Sequence, residues 1–478
     1  MPTQSFYWHD YETWGAQPAV DRPAQFAGLR TDLDFKPVGK PLVIYARPAD
    51  DFLPQPEACL ITGITPQLAL EKGAPEADFF RFIHEELSRP GTCALGYNSL
   101  RFDDEVTRYG LYRNFFDPYA REWQNGNSRW DMIDIVRLTH ALRPEGIEWP
   151  EREPGVASFR LEALTAANGI EHSAAHDALA DVEATIAIAR LIRARQPKLF
   201  DFAFNNRDKR RLAAQLNVRA AKPVLHVSAR YPARLGCIAA VVPLAMHPVN
   251  RNGVIVYDLR TDPGALLDMS AEEIRTRLYT ASADLPEGAE RIPLKVVHVN
   301  RSPVIVPMGT ITEQARERWH MDADTEQRHL QIVRDTPGLS EKVAEVFADK
   351  GGFPPQSDPD RDLYGSFLSD DDRKRCERVR VASPDELATL QPGFDAAKLD
   401  ELLFRYRARN WPETLNRDER LRWEEFRRAR LTEPGAGGSI VLDEYRHELS
   451  RMAVDLSLTA EQREVVNALI DWPVELGL

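Results

Sequence analysis

Residues 5–13, SFYWHDYET, set two carboxylates into a strand that is otherwise apolar. Along an extended chain residues i and i+2 point to one face, so Asp10 and Glu12 project together. Charge is expensive to bury unless it is paired or bound to a metal. A fold that keeps this strand in its core must therefore answer for both carboxylates. The bland alternative is a solvated strand end, and an Asp-x-Glu triplet is weak by itself; chance supplies about one or two in a chain this long.

Two more motifs sharpen the reading. In GYNSLRFDDEV a short strand, TCALGYN, runs into a helix at Phe102-Asp103. The ordinary role of Asp103 or Asp104 there is a helix N-cap. In His176-Asp177-Ala178-Leu179-Ala180-Asp181, Asp181 opens a helix whose apolar face is Leu179, Val182, Ile186 and Leu191. The bland reading is a capping Asp177 and a surface Asp181, but small alanines around Asp181 favour close packing. Together the motifs can supply four carboxylates, enough to hold two magnesium ions about 4 Å apart. Magnesium prefers hard oxygen ligands and needs no cysteine. His176 titrates near neutrality, which suits a general base that takes a proton from water.

At 478 residues the chain calls for two or three domains. Over residues 1–196 strands and helices alternate, as in a mixed α/β sheet. Residues 197–352 hold strand-like segments between 222 and 308, with Asn252-Gly253 as a hairpin signal, and flanking helices, which suggests a small barrel-like β domain. Residues 353–478 open on the Gly/Pro/Ser/Asp-rich linker GGFPPQSDPDRD and continue as charged helices. No apolar run approaches the roughly 20 residues of a membrane span, no signal peptide is evident, and the four scattered cysteines suggest neither disulfides nor zinc. A cytoplasmic protein is expected. The net charge of −13 argues mildly against nonspecific nucleic-acid binding. Local distribution decides that question, and Arg207–Arg234 carries eight Lys/Arg against one acid, Asp208.

The three motifs resemble those of the DEDDh exonuclease superfamily. The strings HDYETWG, PADDFLPQPEACLITGITP, GYNSLRFDDEVTR, NSRWD, ALRPEGIEWP, SFRLE, GIEHSAAHDALADV, HPVNRNGVIVYDL and LLFRYRARNWPETL resemble the bacterial exonuclease I family across essentially the whole chain. The resemblance implies an α/β RNase H-like exonuclease domain, an SH3-like β-barrel and an α-helical C-terminal domain. It implies 3′→5′ hydrolysis of single-stranded DNA to 5′-mononucleotides, processive and serving DNA repair and recombination. It further implies Asp10, Glu12, Asp103 and Asp181 as ligands of two Mg2+ ions, with Mn2+ able to substitute, and His176 as the base. The family's β region binds the acidic C-terminal tail of single-stranded DNA-binding protein, for which Arg316 and Arg318 are the candidates here. A monomer is expected.

Single-strand binding needs cations for phosphates and flat rings for bases. Arg108, Tyr119 and Trp123 belong to a stretch where arginines alternate with aromatics; its bland reading is core rings on a basic helix. Arg137, Arg143, Phe159 and Arg160 precede the third motif, and Arg160 is the best phosphate clamp, because Arg grips phosphate bidentately. In LITGITP, which resembles the family's loop for the last base, Ile64 would wedge against that base; otherwise Gly63 simply allows a turn. Lys209, Tyr364 and Phe367 are candidates for the far wall of a channel, although a charge run is more often a solvated face. Three rivals stand beside this reading: an RNA-processing or proofreading exonuclease, a silent nucleic-acid scaffold, and a protein hub. Matched DNA and RNA digestion separates the first, and metal-dependent mononucleotide release excludes the second.

Overall fold

The carboxylate-bearing strand β1 (Ser5–Thr13) sits between two partners. It pairs antiparallel with β2 (Pro23–Thr31), Asp10 opposite Ala27 and Glu12 opposite Gln25. It pairs parallel with β4 (Thr92–Gly96), Phe6 opposite Cys93. β3 (Leu42–Tyr45) extends the sheet antiparallel to β2, giving the order β3-β2-β1-β4. Phe6, Tyr7, Trp8 and Tyr11 are all buried, as expected of a strand covered on both faces. A computed structural model describes residues 4–172, 177–281, 284–286, 291–348 and 356–478. It divides the chain into one unit of Met1–Ser128, His172–Ile186 and Pro354–Leu478, and another of Arg129–Glu171 and Ala187–Phe353.

In the first unit, helix Glu76–Leu87 buries Phe79, Phe80, Ile83 and Leu87, one face at helical spacing. Each such side chain contributes about 1.5–3 kcal/mol when fully buried. Helix Asp103–Arg113 crosses it so closely that a Cβ at Gly110 would lie 1.8 Å from the Phe80 ring. That contact explains a glycine in mid-helix, where it costs about 1 kcal/mol against alanine. Between β4 and this helix Asn98 adopts φ 67°, a left-handed conformation that asparagine tolerates. Neither Asp103 nor Asp104 caps the helix: the N-cap is Phe102, and both carboxylates are engaged elsewhere.

The C-terminal helices of this unit include Lys398–Asn410, Arg417–Thr432, Leu442–Ala453 and Ala460–Glu475. Trp14, Phe52 and Leu53 share a core with Tyr445, Leu469 and Trp472 from the last two. Beside it lies a buried ionic network. Arg409 holds Asp51 at 2.7 Å and Asp360 at 2.6 Å; Arg22 and Arg113 hold Glu76 at 2.6 and 2.9 Å; Arg405 holds Asp358 at 2.6 Å. Burial pushes the Asp51 carboxyl up, but Arg409, Arg22 and Arg430 outweigh it and hold it well below the usual carboxylate range.

The second unit contains an antiparallel sheet of β5 (Val224–Val227), β6 (Ile238–Met246), β7 (Gly253–Asp258), β8 (Leu294–His298) and β9 (Val304–Pro307), in the order β8-β7-β6-β5-β9. Asn252-Gly253 does not form a two-residue hairpin turn there. The connection from β6 to β7 spans residues 247–252, and Gly253 is already the first residue of β7. The His247 ring accepts from the Val249 and Asn250 amides and widens the loop. Among the described residues no helix is long and apolar enough to cross a membrane.

Candidate active site

β1 carries Asp10 and Glu12 to one face, as the two-residue period requires. One carboxylate oxygen each from Asp10, Glu12 and Asp181 lie within 4.8 Å of one another. Asp181 comes from the first turn of helix Ala178–Arg195. That helix is seated against β2, where the Gln25 side-chain oxygen accepts from the Ala178 amide at 3.4 Å. Asp103 stands next to this trio. Its Oδ1 accepts from the Tyr11 amide at 3.1 Å, between the two β1 carboxylates. The Tyr11 hydroxyl meets Thr107 at 2.9 Å, and Thr107 donates to the Asp103 carbonyl, which fixes this helix turn on β1. Asp104 turns away to a buried pair with Arg121 at 2.7 Å.

Four carboxylates in one buried place repel each other. Glu12, only 8% exposed, has its carboxyl pushed up to about 8, by burial first and then by Asp181, Asp103 and Asp177. Asp10 is raised well above its usual value by burial, then by Asp103, Glu12 and Asp181. An all-oxygen, anionic donor set of this kind fits a hard divalent cation, which would relieve both the repulsion and the lost hydration.

The histidine named in the motif, His176, lies outside the described residues. A second histidine, His172, reaches the site: its Nε2 is 2.6 Å from Asp181 Oδ1. Sequence reading passed over it, although GIEH stands only a few residues before the motif. Gln25 was also missed; its sole signal is its position opposite Glu12 across β1 and β2.

The remaining candidates divide by environment. Trp123 is 66% exposed and Phe367 86% exposed. Tyr119 is half-buried, its ring 6.5 Å from Phe367. Tyr364 is exposed and contacts Glu105 through its hydroxyl. Arg108 is buried and clamped by Glu105 at 2.6 Å and Glu122 at 2.7 Å. Ile64 is 4% exposed and packs in the core, while Ile61, in the last turn of helix Pro56–Thr62, is the exposed aliphatic of that segment. In the second unit Arg160 and Lys209 are exposed, at the N-terminal ends of helices Leu161–Ala167 and Lys209–Gln215. Arg137 is buried, bonded to Asp134 at 2.7 Å and 5.9 Å from the half-buried Phe159 ring. Arg143 donates to the Thr310 carbonyl at 3.0 Å. Arg316 pairs with Glu326 at 2.9 Å, and Arg318 is exposed.

Comparison with known proteins agrees with this geometry. Residues 7–189 match the family model described as Exonuclease, 207–349 the Exonuclease I SH3-like domain, and 357–476 the Exonuclease I C-terminal domain. The chain is 47% identical over 472 residues to exodeoxyribonuclease I of Escherichia coli strain K12, covering 99% of this chain and 98% of that protein. It matches the structure of a moderately thermophilic exonuclease I from Methylocaldum szegediense with a TM-score of 0.95 at 55% identity, covering 99% of each chain. It matches the zinc-bound E. coli exonuclease I–single-stranded DNA complex with a TM-score of 0.94 at 46% identity, over 100% of both chains. An RNase H-like sheet bearing a carboxylate cluster, an SH3-like β domain and a helical C-terminal domain, matched along the full length, place the chain in the exonuclease I family.

Proposed function

We propose that the protein degrades single-stranded DNA from its 3′ end, releasing 5′-mononucleotides. The observation that carries this reading is the meeting of Asp10, Glu12 and Asp181, with Asp103 beside them, where burial first and then the neighbouring charges raise the Asp10 and Glu12 carboxyls. Asp10, Glu12, Asp103 and Asp181 would hold two magnesium ions, with manganese a substitute by the same oxygen chemistry. When bound, magnesium supplies positive charge that activates the attacking water and stabilises the leaving 3′ oxygen. The chain does the rest. The Tyr11 amide and His172 orient two of the carboxylates. His176, five residues before Asp181, takes the proton of the attacking water.

Arg160 is proposed to hold a phosphate near the cleaved bond. Tyr119, Trp123, Tyr364 and Phe367 offer rings to bases, and Lys209 and Arg143 offer charge. Arg108 and Arg137 would have to leave Glu122 and Asp134 to reach a phosphate, and Ile64 and Phe159 would act from within their packing. We divide the work of the chain into an exonuclease part (1–196), an SH3-like part (197–352) and a helical part (353–478) that together support processive digestion. Exposed Arg318, with Arg316, is the proposed dock for the acidic C-terminal tail of single-stranded DNA-binding protein. A monomer acting in the cytoplasm in DNA repair completes the proposal. The test is digestion of matched single-stranded DNA, duplex DNA and RNA with magnesium, with products identified by chromatography. Single-stranded DNA giving 5′-mononucleotides supports the reading; preferential attack on RNA or duplex overturns it.

A further inference from the structure

Beside the carboxylates the sheet holds a buried polar side chain, Gln25, that has no part in the chemistry assigned to them above. Gln25 on β2 stands directly opposite Glu12 on β1, and Ala27 stands opposite Asp10. Directly opposed residues on antiparallel strands share a face of the sheet, so Gln25 is on the carboxylate face. It is 2% exposed, and an amide that deeply buried is costly unless it is hydrogen-bonded.

Its oxygen is used at the start of helix Ala178–Arg195. The first amides of a helix have no acceptor within the helix. Asp177 serves one of them, its carboxylate accepting from the Ala180 amide at 3.1 Å. Ala178 is 0% exposed, beyond the reach of solvent, and its amide donates to the Gln25 oxygen at 3.4 Å. One side chain thus ties the strand position facing Glu12 to the helix turn that carries Asp181, three residues after Ala178.

We propose that Gln25 is a positioning residue for the metal centre: by holding the first turn of this helix on β2 it sets Asp181 against Glu12, and with that the affinity of the carboxylates for a divalent ion. It acts through those two ligands rather than on the strand being cut. The proposal rests on the metal-dependent exonuclease reading. The neutral amide suits the place. A carboxylate there would also accept from Ala178, but it would add negative charge where burial and then neighbouring charges already raise the Asp10 and Glu12 carboxyls. A shorter asparagine would stop one methylene short of the helix.

The test is calorimetric titration of the metal-free full-length protein with Mg2+, for wild type, Gln25→Met, Gln25→Asn and Gln25→Glu, with folding checked by melting in EDTA. Groups that hold metal ligands in place typically contribute about 10–100-fold to metal affinity. Gln25→Met keeps the length and loses the oxygen, so it should weaken Mg2+ binding by about that factor, and Gln25→Asn, read alone if Gln25→Met does not fold, should do the same. Gln25→Glu keeps the acceptor in either charge state and should recover most of the loss. In single-strand digestion the magnesium concentration for half-maximal rate should rise by the same factor in Gln25→Met, while the strand's KM at saturating magnesium is unchanged. A group that only supports the fold would lower the melting temperature and leave the magnesium affinity alone. That result, or Mg2+ binding by Gln25→Glu as weak as by Gln25→Met, overturns the proposal. If wild type digests single strands in magnesium all the same, the exonuclease reading stands without it; a wild type that binds no Mg2+ overturns both.

Discussion

Glu12→Gln should stabilise the metal-free protein near pH 8 and have little effect near pH 5. The wild-type carboxyl moves from 4.5 to about 8 on folding, burial contributing most and Asp181, Asp103 and Asp177 adding to it. The sign follows from linkage: a carboxyl with a raised folded pKa stabilises the fold below its unfolded pKa, and this is lost as pH rises through the folded value. The window is therefore about pH 4.5 to 8. A shift of roughly 3.5 units at 1.36 kcal/mol each amounts to ~5 kcal/mol, with little screening for a group 8% exposed. The four carboxylates titrate as a set, so this figure belongs to the cluster rather than to Glu12 alone. Bound magnesium should cancel the same penalty, because it binds the folded cluster and not the unfolded chain. The assay is thermal melting of wild type and Glu12→Gln in EDTA and in magnesium, at about pH 5 and about pH 8. The expected result is a magnesium-induced rise in melting temperature that is large at the higher pH, small at the lower, and mostly absent in Glu12→Gln. A wild-type rise that is equal at both pH values, or a Glu12→Gln protein no more stable than wild type in EDTA near pH 8, would refute the reasoning.

Single-strand affinity should fall steeply with salt despite the acidic net charge, each neutralised phosphate contributing about −0.7 to the log–log slope; a flat slope in fluorescence-anisotropy titrations would mean that stacking, not charge, holds the strand. His176→Ala should fold and bind DNA but lose roughly 10²–10⁴-fold in single-turnover rate, together with the acidic limb of the rate–pH profile. Near-wild-type rates across the neutral range would remove His176 as the base. Arg409→Met strips a cation from the fully buried Asp51 and Asp360 and should cost about 3–5 kcal/mol in denaturant unfolding; a loss under about 1 kcal/mol, the scale of an exposed pair, would show the network to be solvated.

The carboxylate-bearing strand was legible because its chemistry contradicts its setting. Asp10 and Glu12 interrupt a run of aromatic residues, and only a partner could justify them there. Neighbouring β2, PAQFAGLRT, went unseen: alanine, glycine and an initial proline give no β-propensity signal, and the strand exists because small residues fit a fully buried position beside β1. The cationic candidates show the limit of reading charge from a list. Arg108, Arg137 and Arg316 are visible as cations, but Glu122 and Glu326 meet them only after folding. Glu105, before Arg108, and Asp134, before Arg137, each one helical turn away, were the partners within local reach. Ile64 lost its exposure to a core assembled with residues nearly four hundred positions later. The Arg409–Asp51 pair, 358 residues apart, has no local signature at all.

The central claim is that these carboxylates form a metal-dependent nuclease centre. The most direct test is a time course on a 5′-end-labelled single strand, with wild type and Asp181→Ala, each in magnesium and in EDTA. Asp181 shares its cluster with Asp10 and Glu12, so its loss should empty the metal site and leave the strand-binding surface in place. The account predicts a ladder of labelled fragments shortening from the 3′ end for wild type in magnesium only. Asp181→Ala should retain strand binding but cleave at least 10³-fold more slowly, a barrier increase of about 4 kcal/mol. Cleavage by wild type in EDTA, substantial magnesium-dependent cleavage by Asp181→Ala, or immediate release of the labelled 5′ nucleotide would contradict it.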